Sequence, residues 1–311
     1  MKKAIRFAAA AAAPNDNFLV LAHLCIKGGK VQGTNGILVA EAPIGLPFDA
    51  LVHAKQLGTA FNAVRGQIAV TLGEGHVRVK GGDFNAKLPT LADEGSFPWH
   101  EKPDGETAPA EGLLASLQKL RPFICQEQTK PLFRGVHISK GVAYATDSIT
   151  LAACKAPKFK TPVTLPLEMV DAIIKVGEEP DSITVHERGI AFAWGDRWLR
   201  SLVLIGEWPP LDAYAEPCAT AAPILEGFAD AVDRVASFAV DDGVALRNGV
   251  LTTVDGDTSA QVTGFDGMGD CQFDAARLQK VLTIATHLDL TKGLSPWYGA
   301  DMWGAIAQRR G

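Results

Sequence analysis

Apolar and polar residues alternate with a period of two in pairs of short segments along this chain. Residues 67–72 and 76–80 form one pair, and residues 182–186 and 190–194 form another. The members of each pair are separated by a short stretch that includes glycine, which is typical of a β-hairpin. Because only one face of each strand is apolar, we expect antiparallel sheets that bury one face against helices, an α+β fold.

The predicted elements recur at a spacing of about 110 residues. Residues 26–42 and 138–154 share the order strand, tight turn, strand, Thr-Asx turn, strand. A Leu-Pro pair then opens a predicted amphipathic helix, at Leu46-Pro47 in the first copy and at Leu165-Pro166 in the second. An aromatic-Pro pair closes each copy. An internal repeat of this length indicates duplicated domains and not a solenoid.

A third copy is less regular. Residues 244–254 and 258–264 predict strands around an Asp-Gly-Asp turn, and residues 273–282 are similar to residues 48–57, but the Thr-Asx turn is missing. Length alone would suggest two domains, but the repeat favours three of about 100 residues each. Stretches rich in proline, glycine and charge fall between the copies. The predicted domains are 1–100, 111–210 and 220–311.

Composition narrows the class of protein. Hydrophobic residues make up 47% of the chain and the net charge is −5, which describes a folded protein with an ample core. No apolar run approaches the roughly 18 to 20 residues of a membrane helix, so we expect no membrane partner. The five cysteines form no Cys-x-x-Cys pair, which favours reduced thiols and a cytoplasmic location. The basic, alanine-rich start is similar to a secretory signal, but Arg6 interrupts it and the first repeat needs a helix there.

The sequence shows no pattern typical of an enzyme. Its seven histidines are dispersed, without the spacing of a metal site, and the glycine pairs at 28–29 and 81–82 lie in predicted hairpin turns. There is no Gly-x-Ser-x-Gly motif. We therefore expect no catalytic residue, no metal and no cofactor. A hydrolase with an unrecognised site would need a convergent polar cluster that the sequence does not show.

The order of these motifs resembles a known family, the bacterial DNA polymerase sliding clamps (DNA polymerase III beta subunit). The resemblance is carried by the Thr146-Asp147 turn between strands, the Leu165-Pro166 helix start and the strand of residues 202–209, which ends in Trp-Pro. Residues 34–36 and 83–91 are the matching pieces of the first copy. The likeness is best over about 112–212 and weakest after 223.

The resemblance implies three tandem clamp domains in each chain, and two chains closing head to tail as a homodimeric ring. Helices would line the hole around duplex DNA, and antiparallel sheets would form the outer wall. A clamp loader opens such a ring, and the ring tethers a DNA polymerase without performing chemistry. The alternative function is a clamp-fold scaffold that binds repair or transcription partners without encircling DNA.

A ring that slides should contact phosphates without reading bases, so basic residues on the predicted helices are candidate DNA contacts. The alternative is that they are ordinary solvated charges. By the resemblance, Lys130 aligns with a basic position that faces DNA, whereas Asn15 replaces its first-domain counterpart. The predicted DNA-binding residues are Lys2, Lys3, Arg6, Lys55, Arg65, Lys119, Arg121, Lys130, Arg277 and Lys280.

The resemblance also implies a pocket that takes a partner peptide with apolar anchors. Its residues, carried over by position, are Thr146, Leu151, Pro217 and Met302. The alternative is that Leu151 is an ordinary core residue of a strand. Residues 148–150 read Ser-Ile-Thr where the family has Gly-His-Arg, and the C-terminal residues also depart from its pattern. These departures indicate a divergent clamp, for which a phage or plasmid origin is one hypothesis.

Overall fold

The computed structural model describes residues 1–92, 96–186, 189–214, 216–218, 221–262 and 270–309. The helices in these ranges are α1 Lys2–Ala9, α2 Ala54–Ala63, α3 Leu113–Leu120, α4 Leu167–Val176, α5 Phe228–Ala236 and α6 Ala275–Leu282. The first eight strands are β1 His23–Lys27, β2 Lys30–Thr34, β3 Leu38–Pro43, β4 Ala50–His53, β5 Ala69–Gly73, β6 His76–Gly81, β7 Phe84–Leu91 and β8 Glu106–Pro109. The next seven are β9 Gly135–Ser139, β10 Val142–Thr146, β11 Thr150–Lys155, β12 Val163–Pro166, β13 Ser182–His186, β14 Gly189–Trp194 and β15 Arg197–Leu202. The remaining described strands are β16 Ala222–Pro223, β17 Gly243–Arg247, β18 Val250–Thr253, β19 Ser259–Gln261, β20 Cys271–Asp274, β21 His287–Leu288, β22 Leu294–Tyr298 and β23 Met302–Ala307.

Short helices and antiparallel sheets confirm the predicted α+β class. The alternating segments form the expected hairpins, β5 with β6 and β13 with β14. Local chemistry fixes the helix ends: the Asp274 carboxylate accepts a hydrogen bond from the N–H of Arg277 at the start of α6, at 3.0 Å. At the end of α4, Gly177 adopts a left-handed conformation with φ of 70°, which glycine reaches without strain.

The Leu-Pro signal is confirmed in one copy and wrong in the other. After Leu165-Pro166, α4 begins at once with Leu167. After Leu46-Pro47, by contrast, the chain first forms β4, whose backbone pairs with both β1 and β7, and α2 begins only at Ala54. Tertiary strand pairing overrides the local helix signal here. Arg65, predicted to lie on this helix, follows its last residue, Ala63.

The chain divides into two compact units, and the first comprises residues 1–115 and 165–204. Its eleven-stranded sheet has the order β5-β6-β7-β4-β1-β2-β3-β15-β14-β13-β8. Helix α1 buries Ile5, Phe7 and Ala8 and packs on β2 and β3. Gly33 permits this approach, since a side chain there would overlap the carbonyl oxygen of Ala8. The alanine-rich start of the chain is thus a packing surface.

The second unit comprises residues 116–164 and the chain from residue 205 onward. It holds an eight-stranded sheet, in the order β12-β9-β10-β11-β23-β22-β21-β16, and a four-stranded sheet, in the order β19-β18-β17-β20. Helices α5 and α6 pack together beside the smaller sheet. In the core of this unit the fully buried Trp297 stacks on Phe123, with ring centroids 6.0 Å apart.

Strand pairing explains why the two units do not coincide with the three predicted domains. Strand β15, from predicted domain 111–210, pairs with β3 of the first copy, while β11 of the same domain pairs with β23 near the end of the chain. One half of predicted domain 111–210 therefore shares a continuous sheet with the first repeat, and the other half shares a continuous sheet with the third repeat. The division into three domains stays a prediction.

The third copy follows its predicted order as far as the structure describes it. Strands β17 and β18 pair antiparallel, and Gly256, with φ of 85°, lies in the Asp-Gly-Asp turn that follows. Strand β19 ends at Gln261, and the end of the predicted strand 258–264 falls among residues 263–269, outside the described residues.

Candidate functional site

The two Thr-Asx turns have the same hydrogen-bond network, which supports the repeat at the level of single atoms. In the first copy the hydroxyl of Thr34 donates to the Leu38 carbonyl and accepts from the N–H of Gly36. In the second copy the hydroxyl of Thr146 donates to the Thr150 carbonyl and accepts from the N–H of Ser148. The following Asn or Asp side chain accepts two backbone N–H groups in both turns. Thr146 is therefore part of the turn itself and is buried.

An ion pair fixes the second of these turns. The guanidinium Nε of Arg277, on α6, donates to Asp147 Oδ2 at 2.7 Å, and its Nη1 donates to Asp274 Oδ2 at 2.6 Å. Burial favours a higher pKa for Asp147, but hydrogen bonds from the Thr150 N–H and from Arg277 outweigh it and lower that pKa. Arg277 thus ties α6 to the turn between β10 and β11.

One face of the eight-stranded sheet carries an aromatic cluster. Tyr144 on β10 lies opposite Ala153 on β11, and Ala153 lies opposite Trp303 on β23, so the three side chains share one face. All three are buried. Leu151 lies two residues from Ala153 on the same face and is partly buried against this cluster.

The chain after β15 covers part of this face. The indole Nε1 of Trp303 donates to the Tyr214 carbonyl at 2.8 Å, which holds the connector against the sheet. Trp208 stacks on His137 of β9, with ring centroids 4.9 Å apart and planes at 21°. At the edge of the imidazole, the hydroxyl of Thr164 lies 3.0 Å from His137 Nδ1. Burial lowers the pKa of His137 to about 4, so the ring is neutral at pH 7.

A cleft of about 1250 Å³ opens beside the aromatic cluster, within the second unit. Its floor is apolar and aromatic, and charged side chains surround it. The residues that matter for its chemistry are Lys119, His137, Lys140, Val142, Tyr144, Lys155, Lys158, Glu207, Trp208, Leu211, Glu216, Pro217, Asp301, Met302 and Trp303. An apolar concave surface with few polar groups is suited to binding an apolar side chain.

The structure places the four predicted pocket residues differently. Pro217 and Met302 line the cleft. Met302 lies opposite Cys154, one residue out of step with the pair Ala153 and Trp303, so it belongs to the other face of the sheet. Leu151 packs beside the aromatic cluster, and Thr146 is buried in its turn. The assignment of these four residues to a peptide pocket stays a prediction.

No sequence pattern indicates the aromatic residues that form the floor, Tyr144, Trp208 and Trp303. Tyr144 and Trp303 sit on ordinary alternating strands and are brought together only by the pairing of β11 with β23. In the sequence, Trp208 belongs to the aromatic-Pro pair that closes the second copy of the repeat. The one available signal was the concentration of Trp, Pro and Tyr in residues 208–217.

In the first unit, several predicted DNA-binding residues share a groove of about 720 Å³. Lys2 and Arg6 of α1, and Lys55 of α2, line it together with Lys175 of α4. The acidic Glu168 and Asp171 also line it. All three predicted residues are exposed. The groove is therefore a mixed but accessible basic surface.

Lys3 and Arg65 do not line this groove. Lys3 forms an ion pair with Glu178 at 2.8 Å, and Arg197 binds the same carboxylate at 2.7 Å. The bonds from Lys3 and Arg197 lower the pKa of Glu178. Arg65 is exposed beyond the end of α2.

Most predicted DNA-binding residues of the second unit contact other residues of the same chain. Lys119 pairs with Asp301, and Lys130 Nζ lies 3.0 Å from both Glu127 Oε2 and Ser148 Oγ. Arg277 is held in the turn network described above. Lys280 Nζ lies 5.6 Å above the ring of Phe123, a cation–π contact. Arg121 is partly buried in the short 3-10 turn Arg121–Phe123. In the first unit Lys2 also has a partner, since its Nζ donates to the Val64 carbonyl at 2.7 Å, so the side chains of the second unit are less available to phosphates than Arg6 and Lys55.

Among the described residues, no group of three or more His, Cys, Asp or Glu side chains is arranged to hold a metal ion. No helix in the described part of the chain is long and apolar enough to cross a membrane. Cys25, Cys125, Cys154 and Cys271 are buried, whereas Cys218, next to Pro217 at the cleft, is only partly so. Burial raises the pKa of Cys154 and of Cys271 to about 11.

No protein-family model matches the sequence, and no curated protein sequence matches it. Solved structures do match. A sliding clamp (DNA polymerase III subunit beta) from Pseudomonas aeruginosa, bound to griselimycin, superposes with a TM-score of 0.81 at 17% identity and covers 100% of this chain and 97% of that chain. The beta sliding clamp of C. crescentus gives 0.79 at 19% identity with the same coverage. The beta clamp of Helicobacter pylori, bound to a DNA ligase peptide, gives 0.76 at 13% identity and covers 99% of this chain. The chain therefore has the sliding-clamp fold, and its sequence has diverged far from these proteins.

Proposed function

We propose that this protein is a DNA sliding clamp, a non-catalytic processivity factor that encircles duplex DNA in the cytoplasm and tethers a DNA polymerase. Two chains, each with clamp domains at 1–100, 111–210 and 220–311, close into the ring, and a clamp loader opens it. The observation that carries the proposal is the match to sliding clamps over 100% of this chain. A match over only part of the chain would be compatible with a single clamp domain in a protein of a different class.

The exposed basic residues of α1 and α2 support contact with DNA. Lys2, Arg6 and Lys55 line one groove with acidic neighbours, so attraction to phosphates is present but moderate. Weak contacts with the DNA backbone suit sliding, because they hold the duplex without fixing the register of the protein on it.

The aromatic cleft supports binding of partner peptides. The Helicobacter pylori clamp is bound to a DNA ligase peptide, which shows that the fold serves peptide recognition in that protein. In this chain Tyr144, Trp208 and Trp303 provide a floor on which an apolar anchor can be buried. Leu151 and Pro217 extend this apolar surface in the proposal.

Exposed apolar side chains support assembly with a second copy. Phe238 and Val240, after α5, are 66% and 90% exposed, and Leu72, on the edge strand β5, is 47% exposed. Large apolar groups this exposed are typical of an interface. We assign Phe238 and Val240 to the ring seam. Phe238→Asp with Val240→Asp should give a mass of one chain by native mass spectrometry, whereas the unaltered protein should give two.

A clamp-fold scaffold that binds protein peptides without encircling DNA is the second candidate. It is favoured by the ion pairs of Lys119, Lys130 and Arg277, because these three predicted DNA contacts already have partners within the protein. The two functions predict different retention of the protein on DNA. A protein that encircles the duplex stays on circular DNA and is lost from linear DNA, whereas the scaffold is retained on neither.

The deciding experiment compares circular with linear DNA. The protein is loaded onto nicked circular plasmid with ATP and a bacterial clamp loader, and the complex is isolated by gel filtration in high salt. A clamp remains on the circle and is lost when the plasmid is cut once, since it slides off the ends. Peptide binding without retention on circles would support the scaffold and contradict the clamp. The Phe238→Asp, Val240→Asp variant is the matched control and should be retained on neither form.

A further inference from the structure

One face of the eleven-stranded sheet, in the first unit, carries a buried polar group. Gln32 on β2 lies opposite Glu41 on β3, and Glu41 lies opposite Trp198 on β15, so the three side chains share this face. All three are buried. A buried carboxylate is unfavourable unless it is paired and hydrogen-bonded, so the arrangement around Glu41 needs donors.

Three donors surround the Glu41 carboxylate. Oε1 accepts from Trp198 Nε1 at 3.1 Å and from Lys30 Nζ at 2.9 Å, and Oε2 accepts from Gln32 Nε2 at 3.0 Å. The hydrogen bond to Glu41 raises the pKa of Lys30. Because a carboxylate can only accept, its contact with Gln32 also fixes which end of that amide is the donor.

Residues 97–101 form a strap across this face, and Gln32 anchors the strap by its backbone. Gln32 Nε2 donates to the His100 carbonyl at 2.8 Å, and Gln32 Oε1 accepts from the His100 N–H at 2.9 Å. One buried side chain thus satisfies both backbone groups of a residue 68 positions away in the sequence.

An apolar cluster lies under the start of the strap. Cys25 on β1 lies opposite Gln32, and Leu51 on β4 lies opposite Cys25, so the cluster continues the face that carries Gln32. Phe97 is buried against Cys25 and Leu51, and Trp99 packs on the same cluster. The strap therefore separates an apolar surface from solvent.

The side chain of His100 makes a second attachment. Arg200 Nη2, on β15, donates to His100 Nδ1 at 2.7 Å. A guanidinium can only donate, so Nδ1 carries the lone pair and the imidazole is neutral in this contact. Burial, and then the positive charge of Arg200, lower the pKa of His100. A proton on Nδ1 would remove the acceptor and place two cations face to face.

The other charged groups near the strap do not stabilise a protonated His100. Glu41 on β3 is already paired with Lys30 on β2, and Glu101, next to His100 in the strap, attracts Lys30 as well. Among the described residues, neither carboxylate forms a hydrogen bond with the His100 imidazole. Arg200 is the charged group that contacts this ring, and its effect on a second positive charge is repulsive.

We propose that His100 and Arg200 form a pH-sensitive latch, which holds the strap closed at neutral pH and releases it when His100 is protonated. Release uncovers the apolar cluster under Phe97 and Trp99. An imidazole in water has a pKa of about 6.5, so the latch is fully effective above that pH and is lost progressively as the pH falls below it. The inference goes beyond the proposed function, since neither DNA nor a second chain takes part in the latch.

The test is hydrogen exchange of the full chain, measured by mass spectrometry at pH 7.5 and pH 5.5. Rates are divided by those of an unstructured peptide at the same pH, which gives a protection factor. At pH 5.5 the N–H groups of Trp99 and His100 should lose protection by about tenfold, because protonation of a released imidazole with a pKa of about 6.5 favours release by that factor. Strand β1, in the interior of the same sheet, should keep its protection.

Three variants assign the effect. His100→Gln supplies an amide oxygen that accepts from Arg200 and cannot titrate, so the strap should keep its neutral-pH protection at both pH values. Gln32→Leu removes both bonds to the His100 backbone and should lower the protection of the strap at both. His76→Gln, which alters a partly exposed histidine on β6, is the matched control and should retain the pH dependence of the unaltered protein.

The inference is overturned by equal protection of the strap at both pH values in the unaltered protein. A pH effect that persists in His100→Gln also overturns it, because another group, such as Glu41, would then be the one that titrates. If β1 loses as much protection as the strap, acid unfolds the whole unit and the latch is wrong. Retention on circular plasmid decides the clamp function independently of all these results.

Discussion

Acidification should destabilise this protein through His137. The imidazole stacks on the Trp208 ring with the Thr164 hydroxyl at its edge, and burial lowers its pKa to about 4. In the unfolded chain the same group has a pKa of about 6.5. The folded state favours the neutral ring, so the contribution of His137 to the free energy of unfolding is complete above pH 6.5. That contribution is lost progressively as the pH falls from 6.5 towards 4.

The size of the effect follows from the two pKa values. At pH 5, protonation of this group shifts the folding equilibrium towards the unfolded state by a factor of about thirty, which is worth about 2 kcal/mol. Because the side chain is only partly buried, solvent screening reduces this figure, and we expect a loss of about 1 to 2 kcal/mol. This is a substantial fraction of the stability of a typical domain.

The assay is urea unfolding at pH 7.5 and pH 5, followed by circular dichroism, for the unaltered protein and for His137→Phe. Phenylalanine retains a flat ring against Trp208 but cannot titrate. Its lost hydrogen bond to Thr164 lowers stability equally at both pH values, so the comparison isolates the proton. The unaltered protein should lose about 1 to 2 kcal/mol more than the variant between pH 7.5 and pH 5. Equal losses would refute the argument that burial of His137 sets its pKa.

Three further predictions follow from packing and charge. Gly33→Ala should lower the free energy of unfolding by about 1 to 3 kcal/mol, measured by urea denaturation, because the new methyl group overlaps the Ala8 carbonyl. Arg277→Gln should cost about 2 to 3 kcal/mol by the same assay, since it leaves two partly buried carboxylates unpaired. Arg6→Glu with Lys55→Glu should weaken binding to duplex DNA and reduce the slope of log K against log salt by about 2, measured by anisotropy.

Matched variants separate these effects from general damage. Gly58→Ala, where an added Cβ meets nothing within 4 Å, should not destabilise the protein. Arg247→Glu, an exposed change on β17, should leave DNA affinity unaltered. A destabilisation by Gly58→Ala equal to that of Gly33→Ala would contradict the packing argument. An equal loss of DNA affinity in the Arg247 variant would mean that overall charge, and not the groove, attracts DNA.

The sequence predicted the helices and strands better than it predicted which strands pair with each other. Period-two alternation identified the hairpins, and the repeated Thr-Asx turn located equivalent strands because its hydrogen bonds are local. The Leu46-Pro47 signal misplaced a helix because β4 gains two strand neighbours that are distant in sequence.

The candidate site was harder to predict for the same reason. Arg277 was assigned to DNA, but its partner Asp147 lies 130 residues away, and Lys119 meets Asp301 at a separation of 182 residues. No periodicity relates such pairs. The cleft floor depends on pairing between β11 and β23 and on an irregular connector, neither of which leaves a repeating pattern. Pro217 and Met302 line the cleft, and their assignment to a peptide pocket stays a prediction, while no sequence pattern indicates the aromatic residues of the cleft.

The distribution of the cysteines provides a built-in attachment point for a spectroscopic reporter. The thiolate is the nucleophile that attacks a thiol reagent, so burial and a pKa of about 11 protect Cys154 and Cys271, and burial shields Cys25 and Cys125. Cys218 is more accessible than these four and follows Pro217 at the edge of the cleft. A maleimide dye should therefore label the unaltered chain first at Cys218. The occupancy of the cleft would then change the emission of that dye without engineering a cysteine into the protein.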